Sequence, residues 1–187
     1  VTRAGISTKL ACIDPSALIE QTLAKSLSAI FFSATLCPMP YFASLLAGAR
    51  GSSQIALDSP FPRENLLFVV DPTISTRYRS RGSSYDQIAE RIESLVASAP
   101  GNYLVFFPSY AYADQVRPRF ELRLRRSESS SVDVIFQTRG LSEENREAFL
   151  ARFAPDNERS LVGFVVMGGI FAEGIDLVGE RLCGAVV

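Results

Sequence analysis

The sequence predicts an α/β fold in which a mostly parallel sheet is covered by helices on both faces. Short apolar runs that suit strands alternate with segments whose apolar residues recur at helical spacing. Several runs, such as residues 104–107, are apolar at every position, as expected of strands that helices cover on each side. Together these observations are typical of a three-layer parallel sheet.

The chain has 187 residues, enough for one domain with a sizeable core or for one domain plus part of another. Its content of 47% hydrophobic and 21% charged residues is ordinary for a globular protein. It has no apolar run of roughly 18 residues and no secretion leader, so we expect a cytoplasmic location and no membrane partner. Because the sequence begins at Val1 without methionine, we also expect a piece of a longer protein.

Charge and residue usage exclude several classes of site. The net charge is -1, so any nucleic-acid binding would depend on local placement of basic residues. Histidine is absent, which excludes histidine-based acid–base catalysis and histidine-containing metal sites. Cys12, Cys37 and Cys183 lie far apart, and a four-thiolate iron–sulfur cluster cannot be built from three cysteines.

In the first third of the chain, Asp14 followed by Pro15 predicts a helix that begins at the proline. The apolar run 29–32 predicts a buried strand, and a short helix ending at Gly48 should follow. Residues 49–65 are rich in glycine, serine and proline, and they are the best linker candidate.

Strand and helix alternate again after this linker. Ser84 and Gln87 form a capping-box pattern, which predicts a helix that starts at Ser84. Pro118 should kink the helix that carries Val116 and Phe120, and another helix should start at Ser142. The predicted strands are 66–70, 103–107, 132–136 and 161–166, followed by an apolar run, 182–187, that stops mid-strand and suggests a truncated fold.

Three polar clusters follow predicted strands, at the edge of a parallel sheet where ligands usually bind. Ser33 and Thr35 could contact a phosphate, although such hydroxyls are also typical of turns. Ser109 could cap a helix whose first amides attract phosphate. Tyr110 could stack on a nucleic-acid base or belong to the core. In segment 168–176 glycines allow close backbone approach, but the spacing is not that of a dinucleotide-binding loop.

Two groups of arginines could meet a phosphate backbone, or they could simply form solvated faces. The first group falls near one helical face and consists of Arg119, Arg123 and Arg126. The second group alternates along a polar stretch and consists of Arg77, Arg79 and Arg81.

These segments, taken in order, resemble the DinG/XPD group of superfamily 2 DNA helicases. Residues 12–16 are similar to the segment by which that family re-enters its first motor domain. Residues 32–38 resemble its motif III, residues 101–110 its motif IV, and residues 168–177 its motif V. Segments 59–65 and 74–78 resemble the corresponding segments in the bacterial branch of that family. The resemblance covers nearly the whole chain.

The resemblance implies a RecA-like, P-loop NTPase-type architecture. Residues 1–48 would end the first motor domain, 49–65 would be a linker, and 66–187 would form an incomplete second motor domain. The Walker A loop and the Asp-Glu-Ala-His box are absent from this chain, since it has no Gly-Lys dipeptide and no histidine. Motif VI is absent as well. We therefore expect the isolated chain to be inactive.

The resemblance also implies roles for particular residues. A nucleotide cleft and its coupling to DNA would involve Ser33, Thr35, Gly169, Glu173, Gly174 and Asp176. A single-stranded DNA contact would involve Ser109, Tyr110 and Arg139. The parent protein would be a DNA-repair helicase that uses ATP and Mg, with single-stranded DNA and its own first motor domain as partners. An iron–sulfur cluster, if present, would lie upstream of this chain.

Two other functions fit the same sequence. A non-catalytic nucleic-acid-binding or interaction module could keep the motor fold without its chemistry. A different α/β enzyme, such as a nucleotide-dependent transferase, is disfavoured by the missing phosphate loop and the missing histidine.

Overall fold

The computed structural model describes residues 8–47, 52–127, 131–172 and 174–187. The chain divides into two compact units, Val1–Phe68 and Val69–Val187. Most of the predicted fold lies in the second unit.

The first unit contains two short helices, α1 (Ser16–Leu23) and α2 (Met39–Ala47). The Asp14 carboxylate accepts a hydrogen bond from the Ser16 backbone N–H at 2.9 Å. Hydrogen bonding by the Ser16 side chain and by its backbone N–H lowers the pKa of that carboxyl. α1 therefore begins one residue later than predicted. Gly48, the predicted end of α2, and residues 49–51 of the predicted linker lie outside the described residues.

Two predicted strands, 29–32 and 66–70, are wrong. Neither run forms a strand, and its apolar side chains are exposed, with Phe32 at 90% and Leu67 at 86%. A strand satisfies its backbone N–H and C=O groups only by pairing with a neighbouring strand. In the part of the chain that the structure describes, no strand pairs with either run.

The second unit is built on a four-stranded sheet. Its strands are β1 (Asn102–Phe107), β2 (Val132–Phe136), β3 (Ser160–Val166) and β4 (Gly184–Val186). The order across the sheet is β2-β3-β1-β4, and every neighbouring pair is parallel. The predicted parallel sheet is confirmed, and strands β1 to β3 agree with their predicted bounds to within one residue.

Helices cover both faces of this sheet, so the predicted three layers are confirmed. They are α3 (Arg81–Ser98), α4 (Tyr110–Arg126) and α5 (Glu143–Ala151). Successive residues of β1 face opposite sides: Val105 packs with α3 and α4, whereas Leu104 packs with α5. β1, enclosed in this way, is apolar from Tyr103 to Phe107.

The start of α3 differs from the prediction. The helix begins at Arg81, and Ser84 is buried inside its first turns rather than at the N-cap. The Ser84 hydroxyl donates to the Arg81 carbonyl oxygen at 3.0 Å, the back-bonding that serine adopts within a helix. By contrast, Ser142 caps α5 as predicted, since its hydroxyl accepts the Asn145 N–H at 3.3 Å.

Ion pairs join α3 to α4. The Arg119 guanidinium lies 3.2 Å from the Asp86 carboxylate, and that of Arg123 lies 2.6 Å from Glu93. These two arginines of the predicted basic face therefore bridge helices and are not free to bind phosphate. The helix that carries them, α4, continues through Pro118.

Candidate functional site

The carboxyl ends of the parallel strands bring several predicted site residues to one edge of the sheet. β1 ends at Phe107, β2 at Phe136 and β3 at Val166. Backbone hydrogen bonds continue past these ends, from Met167 N–H to the Phe107 carbonyl at 2.8 Å and from Gln137 N–H to the Phe164 carbonyl at 2.9 Å. The segments that follow the three strands therefore start close together.

Ser109 and Tyr110 follow β1 and begin α4. The Ser109 hydroxyl accepts the Tyr112 N–H at 3.3 Å, so Ser109 is the N-cap of the helix. Of the roles that the sequence allowed for Ser109, the structure thus shows that of a helix cap. Tyr112 is buried in the core, next to the Phe107 ring, and is therefore not available for stacking on a base.

Tyr110 and Arg139, which the sequence resemblance assigned to one DNA contact, lie side by side. The Arg139 guanidinium carbon is 4.9 Å from the centroid of the Tyr110 ring, within cation–π range. The Tyr110 hydroxyl accepts from the Gln137 side-chain amide at 2.9 Å and lies 3.4 Å from the Thr138 carbonyl oxygen, to which it donates. The ring is therefore fixed to the segment that follows β2.

Gln137 connects all three strand ends. Its amide nitrogen donates to the Tyr110 hydroxyl, and its amide oxygen accepts the Val166 N–H at 2.8 Å. A Cβ atom at Gly169 would lie 3.2 Å from the Gln137 amide nitrogen and 3.0 Å from the Val166 carbonyl oxygen. Gly169 therefore leaves room for Gln137. The sequence interpretation did not single out Gln137, and no local sequence pattern identifies it.

A cleft of about 330 Å³ opens beside Tyr110. Its polar lining includes Asp114, Arg117, Gln137, Thr138 and Arg139. The Arg117 guanidinium carbon lies 3.6 Å from the centroid of the Phe136 ring, and its Nε is 3.0 Å from Glu121. The cleft thus combines an aromatic side chain, amide groups and arginines, which suits a phosphate-bearing ligand.

The glycine-rich segment 168–176 is held against the domain by Phe171 and Arg146. Phe171 is fully buried, with its ring centroid 4.6 Å from that of Phe149. Arg146 donates to the Ile170 carbonyl at 3.1 Å and to the Gly174 carbonyl at 2.7 Å, while Glu143 lies 2.6 Å from its guanidinium. The segment is therefore held at Ile170, Phe171 and Gly174. Nothing in the sequence pattern identified Arg146.

Within this segment Gly168 and Gly174 have φ values of 70° and 67°, which favour glycine. Asp176 is exposed and makes no hydrogen bond or ion pair with any residue that the structure describes. Its carboxylate is available to an outside ligand. Glu173, the other predicted acid, lies outside the described residues.

Ser33 and Thr35 belong to the first unit. Their hydroxyls lie 3.1 Å apart, and the Ser33 hydroxyl also accepts the Thr35 N–H at 3.2 Å. Both side chains are exposed in a serine–threonine turn. A turn is one of the two roles that the sequence allowed for these hydroxyls. Their role at a nucleotide cleft stays a prediction.

The described ranges show neither a metal-binding cluster nor a membrane-spanning helix. No group of three or more cysteine, aspartate or glutamate side chains there could hold a metal ion. The three cysteines are free and exposed. None of the described helices is long and apolar enough to cross a membrane.

Gln137→Ala should destabilise the domain by about 1–3 kcal/mol, because the Val166 N–H and the Tyr110 hydroxyl would each lose a partner. Urea unfolding of the purified chain measures this change. Gln115→Ala on the exposed surface of α4 is the matched control and should cost much less. Equal losses for the two variants would show that the Gln137 bridge contributes nothing specific.

The helicase C-terminal domain family matches residues 92–187, slightly more than half of the chain. The match begins inside α3 and includes all four strands and the whole carboxyl edge described above. It therefore covers the part of the chain in which the candidate site is assembled.

Two curated relatives match over a longer stretch. A probable ATP-dependent helicase of Methanocaldococcus jannaschii is 22% identical over 145 residues, which is 77% of this chain and 21% of the relative. The ATP-dependent DNA helicase CHL1 of Candida albicans is 25% identical over 196 aligned positions, covering 97% of this chain and 23% of the relative. The chain thus spans about a fifth of the length of these relatives. It belongs to the helicase C-terminal domain family, as its resemblance to the DinG/XPD group predicts.

Proposed function

We propose that the chain is part of an ATP-dependent DNA helicase and that its second unit holds single-stranded DNA at the carboxyl edge of the sheet. The observation that carries this proposal is the arrangement of Tyr110, Gln137 and Arg139 beside the cleft. Both curated relatives are named as ATP-dependent helicases, which supports the same activity.

The site contains the groups that a single strand needs. Single strands are held by cations that neutralise phosphates and by aromatic rings on which bases stack. Arg139 is exposed and pairs with no carboxylate among the residues the structure describes. Tyr110 keeps part of its ring accessible while its hydroxyl is held by Gln137. A ring fixed in advance loses little conformational freedom on binding.

The same arrangement supports coupling between DNA and nucleotide. In the proposed enzyme the segment 168–176 faces the nucleotide cleft through Glu173 and Asp176. Val166 precedes this segment, and its N–H is bonded to the same amide that holds Tyr110. A displacement of the segment would therefore reach the DNA-facing tyrosine. ATP binding can drive translocation only if contacts differ between open and closed states.

The residues that the structure describes do not form a site for Mg. Asp176 has no second carboxylate beside it among them, and no set of three acidic or thiol ligands occurs in the described ranges. The phosphate-binding lysine loop is also missing from the sequence. In the proposed enzyme the nucleotide and its metal ion are held mainly by other parts of the protein, and the chain contributes one face of the cleft.

The purified chain should bind single-stranded oligothymidylate weakly, with affinity that falls steeply as salt rises, because phosphate contacts release counterions. Tyr110→Ala should weaken binding by about tenfold, since stacking on one base contributes about 1–3 kcal/mol. Tyr110→Phe keeps the ring but loses the hydrogen bonds of the hydroxyl, and it separates stacking from positioning. Fluorescence anisotropy with a labelled strand measures all three affinities. Tight binding that salt does not change would contradict the proposal.

A non-catalytic binding module shares this DNA site and differs only in the nucleotide cleft. ATP turnover of an Asp176→Ala variant of the full-length protein distinguishes the two proposals, because a module without ATP turnover has no activity for that substitution to lower.

A further inference from the structure

A second basic and aromatic surface lies at the same edge of the sheet, and we infer that it is a second contact for single-stranded DNA. It consists of Arg77, Tyr78 and Arg79, which we name the arginine–tyrosine turn. This inference rests on the proposed function, since it extends the strand path beyond Tyr110.

The topology places this turn at the carboxyl edge. α3 ends at Ser98 and leads directly into the start of β1 at Asn102, so its other end lies beside the carboxyl ends of the strands. Arg81, the first residue of α3, supports this placement. Its guanidinium carbon is 4.9 Å from the ring centroid of Tyr112, which belongs to the first turn of α4.

The turn is held in shape by groups other than its own side chains. The Ser80 N–H donates to the Arg77 carbonyl at 2.8 Å, which closes the turn. The Arg81 side chain donates to the Thr76 carbonyl at 2.9 Å and lies 5.5 Å from the centroid of the Tyr78 ring. The Tyr78 side chain nevertheless remains 85% exposed. A partner would therefore meet a preformed turn with an open aromatic ring.

Within the described ranges, most other arginines of the second unit, unlike Arg77 and Arg79, form an ion pair with a carboxylate. Several arginines are neutralised nearby: Arg91 lies 2.7 Å from Asp71, Arg119 is paired with Asp86, and Arg159 is 3.2 Å from Asp133. Thr73 and Arg91 lower the pKa of Asp71 to about 2, so this carboxylate is charged and already engaged.

Arg77 and Arg79, in contrast, are exposed and pair with no carboxylate of the described ranges. The same holds for Arg139 at this edge. Unpaired cations that flank an exposed aromatic residue in the sequence match the alternating phosphates and bases of a single strand. In a duplex the bases are paired and stacked on each other, so the ring would find no free base face. The geometry therefore favours single-stranded DNA as the partner.

The test uses anisotropy with an oligothymidylate of about 16 nucleotides, a length typical of single-strand binding sites. Tyr78→Ala should weaken binding about fivefold or more, whereas Tyr78→Phe should bind like the unaltered chain. A blunt duplex of the same length should show no difference between these variants. Since the side chain is exposed, thermal unfolding should be unchanged in both.

The arginines are tested by salt dependence. Changing Arg77 and Arg79 together to glutamine should reduce the slope of log affinity against log salt by about 1.4, the value for two single-strand phosphate contacts. The matched control changes Arg125 and Arg126, which are exposed at the far end of α4 and also lack a carboxylate partner in the described chain. This control should leave the slope unchanged.

Three results would overturn the inference. In the first, Tyr78→Ala binds the single strand as tightly as the unaltered chain, while Tyr110→Ala binds it weakly. This result would contradict the second contact and leave the proposed function intact. The Arg125 and Arg126 control could reduce the slope equally, which would indicate general charge attraction. Finally, an unaltered chain that fails to bind single strands at low salt would remove both the inference and the DNA contact proposed for Tyr110.

Discussion

Phe171→Ala is expected to lower the free energy of unfolding by about 3–5 kcal/mol, the usual range for removing a buried phenylalanine. Phe171 is fully buried although it belongs to the glycine-rich segment 168–176 rather than to a helix or strand. It packs in the core beneath α5, with its ring 4.6 Å from that of Phe149. Its removal leaves a cavity that flanking residues cannot easily fill. Urea unfolding followed by circular dichroism measures the change.

Phe171→Leu is the conservative comparison and should cost much less, because most of the buried apolar volume is kept. Ile170→Ala tests the neighbouring position, where the side chain is 39% exposed, and should also have a small effect. If Phe171→Ala were no more destabilising than Ile170→Ala, the segment would not be anchored through its aromatic ring. Its position would then depend mainly on the hydrogen bonds from Arg146.

The strands of the second unit could be predicted from the sequence because their local pattern and their environment agree. A strand covered on both faces is largely apolar, and runs 103–107 and 161–166 carry that signal throughout, whereas run 132–136 is interrupted by Asp133. Runs 29–32 and 66–70 carry the same signal and form no strand. Pairing is a contact between distant segments, so apolar composition shows that a run tolerates burial but not that a partner strand is available.

The site could be predicted in part for a similar reason. Parallel topology alone brings the residues after each strand to one edge, and Tyr110 and Arg139 both lie at that edge. Their contact across β3 became visible only in the structure. The side chains that fix the site act over long sequence separations. Gln137 bonds to Tyr110 across 27 positions, and Arg146 bonds to Gly174 across 28. No local periodicity or motif reports such contacts, so these two residues became visible only in the structure.

Asp176→Ala is expected to reduce DNA-stimulated ATP turnover at least about tenfold in the full-length helicase of which we propose this chain is a part. Asp176 is exposed, and no described residue bonds to its carboxylate. Its segment is held firmly by Phe171 and Arg146, so the carboxylate is presented at a fixed position without an internal partner. In the proposed enzyme its partner is supplied only when the motor domains close around the nucleotide.

Losing an interaction that exists only in the closed state lowers turnover without weakening the ground state. A tenfold loss corresponds to about 1.4 kcal/mol of transition-state stabilisation. Folding should change little, because the side chain makes no contact whose loss would destabilise the domain. Basal binding of single-stranded DNA should also be unchanged, since Tyr110 and Arg139 remain in place.

The measurements are steady-state ATP hydrolysis with and without single-stranded DNA, together with thermal unfolding of each variant. Asp156→Ala is the matched control, because Asp156 is also exposed, has no partner in the described ranges, and precedes β3 at the opposite edge of the sheet. It should retain normal turnover. An Asp176→Ala protein that unfolds, yet keeps normal activity per folded molecule, would show that this carboxylate is structural and does not face the nucleotide cleft.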